Sequence, residues 1–109
     1  MSIPNESDIL IIAPHPDDEI LGLGGTISKL SSQGHKVTVL TVSGHLPPLY
    51  KQAVFEEHKR QAIEAHKIVG AHKSIFLEIP ATFVKDEPVA ELNGKIYEVL
   101  KNTQPKIVF

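Results

Sequence analysis

The sequence predicts a three-layer α/β domain with a mostly parallel sheet. Four short runs rich in apolar and β-branched residues, near 9–13, 37–42, 74–79 and 106–109, have the length and composition of strands. Between them lie three longer stretches whose apolar residues recur every three or four positions, as on a helix with one buried face. The first strand, helix and second strand fit within about 35 residues, the size of a βαβ unit, in which two parallel strands are joined by a right-handed crossover.

The run Ile9-Leu-Ile-Ile-Ala13 is apolar without alternation, as expected of a strand buried on both faces. Pro14 ends it. Pro14 and Pro16 bracket His15 and push the backbone out of strand pairing, so His15, Asp17 and Asp18 fall on a stiff turn just past the strand's carboxyl end. In open α/β sheets that edge is where ligands bind. Ile20, Leu23, Ile27 and Leu30 then mark one face of a helix that ends near Gly34. Gly22, Gly24 and Gly25 inside it each cost roughly 1 kcal/mol relative to alanine, which predicts a close approach to the sheet or to a ligand.

Val37-Thr-Val-Leu-Thr-Val42 is the second strand, and Ser43-Gly-His-Leu-Pro-Pro48 leaves the sheet at the same edge as His15. His45 is therefore a candidate substrate contact; the competing reading is an exposed loop histidine without a role. From about 51 to 69 the chain is helical by pattern, with Phe55, Ala62 and Val69 a heptad apart, Ala65 on the same face, and Gly70 as the stop. Glu56, Glu57, His58, Lys59, Arg60 and Glu64 read as its solvated side, and His58, His66 and His72 as surface residues away from the ligand edge. The third strand, 74–79, stops at Pro80 and a loop occupies 81–88. Val89, Leu92, Ile96, Val99 and Leu100 give a third helix, closed by Asn102 and Pro105. The strand that starts at Lys106 is expected to continue past Phe109.

At 109 residues the chain reads as a single α/β domain, 1–109, that is incomplete at its C-terminus. Eleven Lys and Arg against thirteen Asp and Glu give a net charge of -2 without a basic run, which argues against nucleic-acid and membrane partners. With no cysteine, any metal site must use histidine and carboxylate. Residues 1–8 lack the basic start and apolar centre of a signal peptide, so a cytoplasmic location is expected.

A hydrolytic zinc site typically uses three protein ligands and keeps one position open. His15 and Asp18, three residues apart across a rigid turn, can converge on one Zn²⁺ or another divalent ion. Asp17 lies between them and points elsewhere, which suits a general base. Two rivals compete. Asp17 or Asp18 could simply cap the following helix, but capping explains neither the histidine nor the paired prolines. A nucleotide-binding domain would need Gly-x-Gly-x-x-Gly in the turn, where this chain has His and Asp, and Ile27 stands at the third glycine position.

Pro14-His-Pro-Asp-Asp-Glu19 after an apolar strand, followed by Leu21-Gly-Leu-Gly-Gly-Thr26, resembles the opening signature of the PIG-L/LmbE-like zinc-dependent N-deacetylases. The likeness extends through Thr41-Val-Ser-Gly44 and residues 92–109. It implies a Rossmann-like fold, zinc as cofactor, His15 and Asp18 as ligands and Asp17 as general base. It also implies metal-assisted removal of an acetyl group from a small-molecule amino-sugar conjugate of the N-acetylglucosamine type. Two departures stand out. The family's later histidine-rich motif, which supplies the third zinc ligand, is not among these residues, and Arg60 is followed three positions on by Ile63 where the family often has Glu. A catalytically incomplete binding or structural module of the same fold is the alternative.

Overall fold

A computed structural model describes residues 8–44, 51–79 and 88–109. Strand β1 (Asp8–Ala13) pairs on one side with β2 (Lys36–Ser43) and on the other with β4 (Ile107–Val108), and β3 (Lys73–Ile79) lies outside β2. All three pairings are parallel, in the order β3-β2-β1-β4. Helices α1 (Asp18–Ser32), α2 (Gln52–Val69) and α3 (Val89–Thr103) connect them. The chain steps outward from β1 to β3 and then returns to the opposite flank of β1. The carboxyl end of β1 is thus the point where strand order reverses, the usual ligand position in such sheets.

Burial on both faces follows from the unbroken apolar run of β1. Ile9 and Ile11 join Val37, Ile27 and Leu30 in one cluster, with Leu23 and Val69 packed against it, so α1 and α2 cover that face. Leu10 and Leu40 point the other way and meet Val99 of α3, with Leu100, Ile12 and Ile75 alongside. Each such side chain contributes about 1.5–3 kcal/mol on leaving water. Strand β4 is shorter than the expected 106–109, yet its hydrogen bonding extends beyond it: Lys106 N–H donates to Asp8, Phe109 N–H to Leu10, and Ile12 N–H to Phe109.

The structure departs from two sequence readings. A Cβ at Gly22 or Gly25 would meet nothing within 4 Å, and one at Gly24 only Ile20 at an ordinary 3.6 Å, so no close approach to the sheet among the described residues explains these glycines. His66 is buried rather than superficial, at 1% exposure. It lies four residues after Ala62, on the face of α2 that packs inward.

Gly70 has a clearer role. As the cap of α2 it takes φ 86°, which L side chains rarely adopt, and its carbonyl accepts a 2.7 Å bond from Ser31 Oγ of α1. A Cβ there would collide with Ser31 Oγ and stand 2.9 Å from Ser31 Cβ. Gly70→Ala should therefore lower stability by about 1–3 kcal/mol, read as a lower denaturant midpoint at unchanged slope. An unchanged midpoint would refute this account of the α1–α2 contact.

Candidate active site

The turn between β1 and α1 is held at both ends. At its start, Ser43 at the end of β2 donates to the Pro14 carbonyl through both N–H (2.9 Å) and Oγ (2.5 Å). At its finish, Asp17 adopts φ 93° and ψ -23° and its carbonyl accepts from Ile20 N–H (3.0 Å) and Leu21 N–H (2.9 Å), starting α1. A left-handed conformation at a residue with a side chain costs on the order of 1–3 kcal/mol and persists only where the surroundings enforce it. Asp17's carboxylate makes no capping bond, so helix capping does not account for it.

His15 and Asp18 come together. Asp18 Oδ2 accepts from the His15 backbone N–H at 3.0 Å and lies 3.4 Å from His15 Nδ1. Both side chains are open to solvent, at 59% and 42% exposure. Two ligands at about 2.0–2.1 Å from one tetrahedral ion are separated by roughly 3.3 Å, so this nitrogen and oxygen already have the spacing of neighbouring zinc ligands. The donor types suit zinc as well. Among the described residues no group of three or more His, Asp or Glu side chains gathers at one point.

Directly after Asp18 the chain buries a charge-bearing side chain. Glu19, 2% exposed, meets His66 Nε2 of α2 through Oε1 at 2.6 Å, and His66 Nδ1 lies 2.6 Å from Ser74 Oγ of β3. Phe76 stacks on the imidazole with ring centroids 6.5 Å apart. Glu19 Oε2 and Thr41 Oγ1 are buried without a hydrogen-bond partner among the described residues. Neither Glu19 nor His66 is among the site residues expected from sequence. The periodicity of α2 could have exposed His66, since it falls on the same face as Ala62 and Phe55.

A cleft of about 370 Å³ opens between the start of α1 and α2. Asp17 and Glu19 form its wall on the α1 side, His58 and Gln61 on the α2 side, with Ile20, Ala62 and Ala65 as its apolar surface. His58 is exposed, as expected, and also borders the same space as Asp17. Its signal was also periodic: it is three residues after Phe55 and four before Ala62. Arg60 is engaged elsewhere, bonding Glu57 through Nε at 3.0 Å and Glu64 through Nη1 at 2.7 Å. The Arg60 bond holds the Glu57 carboxyl below its ordinary range. Lys59 bonds Glu78 near the sheet's carboxyl edge at 2.8 Å, which raises the ammonium above its usual value. His72 is exposed and uses its backbone N–H to bind Val37. His45 lies outside the described residues.

Comparison with known proteins gives a consistent pattern. The PIG-L family model, described as GlcNAc-PI de-N-acetylase, matches residues 10–109. A diacetylchitobiose deacetylase of Thermococcus kodakarensis is 35% identical over 112 aligned positions, covering 92% of this chain and 39% of the relative. The structure of an N,N'-diacetylchitobiose deacetylase from Pyrococcus horikoshii, bound to an inhibitor, superposes with a TM-score of 0.80 at 27% identity, covering 94% of this chain and 40% of that one. A 4-carboxy-2-hydroxymuconate hydratase from Pseudomonas putida shares the fold at TM-score 0.78 but only 20% identity, with 94% of this chain and 45% of that one covered. The chain spans about two fifths of the length of these two deacetylases.

Proposed function

The chain belongs to the PIG-L family, the GlcNAc-PI de-N-acetylases, and from that premise we propose that the protein removes an N-acetyl group from an amino-sugar substrate in a zinc-dependent hydrolysis. The observation that carries the proposal is the turn itself: His15 and Asp18 meet at ligand spacing while Asp17 stands apart, at the strand-order reversal of the sheet. The two named deacetylases above act on diacetylchitobiose, a small N-acetylated amino sugar, which supports the substrate class. The reading carries with it a small-molecule partner and a cytoplasmic location. Among the described residues no helix is long and apolar enough to cross a membrane.

His15 Nδ1 and Asp18 Oδ2 would hold the ion. The chemistry it supplies there is Lewis acidity toward a carbonyl and toward water. Asp17, held in its left-handed conformation beside the cleft, takes the proton from water as the water oxygen bonds to the acetyl carbon. The carbon–nitrogen bond then breaks, the amine takes up a proton, and acetate and the free amino sugar result. His58 and Gln61, facing Asp17 across the cleft, offer hydrogen bonds to sugar hydroxyls, and Ile20, Ala62 and Ala65 offer an apolar floor.

The test is amine release from N,N'-diacetylchitobiose and from N-acetylglucosamine conjugates by the full-length protein. Release that a chelator abolishes and zinc restores is the expected result. A zinc-loaded protein that binds these sugars and releases no amine would replace the enzyme with a binding module of the same fold.

A further inference from the structure

We propose that His66 is a positioning residue of this centre, acting through Glu19 to hold the His15–Asp18 turn in its strained geometry. The inference deepens the deacetylase reading and rests on it only for its catalytic consequence. Asp17's backbone needs an external restraint, because its own carboxylate contributes no capping bond. Ser43 secures the Pro14 end of the turn, and at the helix end the buried side chain next to Asp17 and Asp18 is that of Glu19. His66 Nε2 lies 2.6 Å from Glu19 Oε1 and its Nδ1 lies 2.6 Å from Ser74 Oγ, both hydrogen-bond distances, and the Phe76 ring stacks nearly parallel to the imidazole. The chain Ser74–His66–Glu19 therefore runs from β3 through α2 to the first turn of α1. It ties the first turn of α1 to α2 and β3, two elements distant from it in sequence. Partners bonded directly to metal ligands typically change metal affinity 10–100-fold when removed, which sets the scale for a residue that acts on the ligand turn through Glu19.

The experiment uses the full-length protein with His66→Leu, His66→Gln and Ser74→Ala. Glutamine's amide can still donate to Glu19, whereas leucine cannot; Ser74→Ala removes only the orienting hydroxyl and serves if His66→Leu fails to fold. Two readouts are taken: zinc affinity against a competing chelator, and hydrogen exchange of the Ile20 and Leu21 amides, which bond the Asp17 carbonyl. His66→Leu should weaken zinc about 10–100-fold and speed exchange at these two amides more than in the rest of α1, with kcat falling more than KM rises. His66→Gln should recover most of both, and Ser74→Ala should give a smaller change in the same direction. A folded His66→Leu or Ser74→Ala with wild-type exchange and zinc affinity overturns the proposal, as does a folded His66→Gln no better than His66→Leu. Exchange reports on the turn without substrate. If the turn loosens as expected while the wild-type protein releases no amine, the deacetylase reading fails and the positioning role stands.

Discussion

Asp17→Asn is expected to keep zinc and lose turnover by roughly 10²-fold or more, whereas Asp18→Ala is expected to lose zinc itself. The separation follows from the turn. Asn tolerates the left-handed conformation at least as well as Asp, so Asp17→Asn is expected to preserve φ 93° and leave the His15–Asp18 contact in place. It removes only the ability of the side chain to take a proton. Asp18→Ala deletes one member of the 3.4 Å pair and also the oxygen that accepts the His15 N–H, so His15 loses its orientation together with its co-ligand. Asp18→Asn is the informative control, since its amide oxygen can keep the bond to His15 N–H while being a poorer ligand. Metal content by elemental analysis and amine release, measured on the same preparations, decide the matter. Equal loss of metal in Asp17→Asn and Asp18→Ala would mean that Asp17 is a ligand and the base is another group.

The chain's strands were legible because composition and local period agree with the final topology. Ile9 to Ala13 needed burial on both faces, and β1 became an interior strand. The turn was legible for a similar reason: proline on both sides of His15 leaves the backbone few conformations, and ligand types three apart can meet across it. The buried polar pair was harder to see. Glu19 and His66 are 47 residues apart, and each looks like a solvated side chain unless the partner is known. Burying either alone would be costly, and their 2.6 Å contact, with Ser74 Oγ on the other imidazole nitrogen, offsets that cost. Periodicity puts His66 on the inner face of α2, but residue type argued for the outside, and the tertiary contact prevailed. The glycines of α1 show the converse: their helix-weakening cost is plain in the sequence, and no neighbour among the described residues explains it.

Residues 1–109 on their own are expected to hold zinc far more weakly than a complete catalytic centre does. Among the described residues His15 and Asp18 provide two donors, and catalytic zinc sites typically use three from the protein. Loss of an outer-sphere partner alone costs 10–100-fold, so a missing direct ligand should weaken binding by roughly 100-fold or more. The remaining positions on the ion would be filled by water, and both side chains are solvent-exposed, so little opposes its departure. His45 is the one further histidine that the sequence puts at the same sheet edge, and it lies in a segment outside the described residues. Zinc titrations of the 109-residue chain, His15→Ala and His45→Ala separate the cases. Weak binding is the expected result. Tight one-to-one binding by the short chain that is lost in His45→Ala makes His45 that ligand. Tight binding that survives His45→Ala but not His15→Ala would defeat the two-donor argument and imply a further ligand, from this chain or from a second copy of it, which the zinc-dependence of the oligomeric state would distinguish.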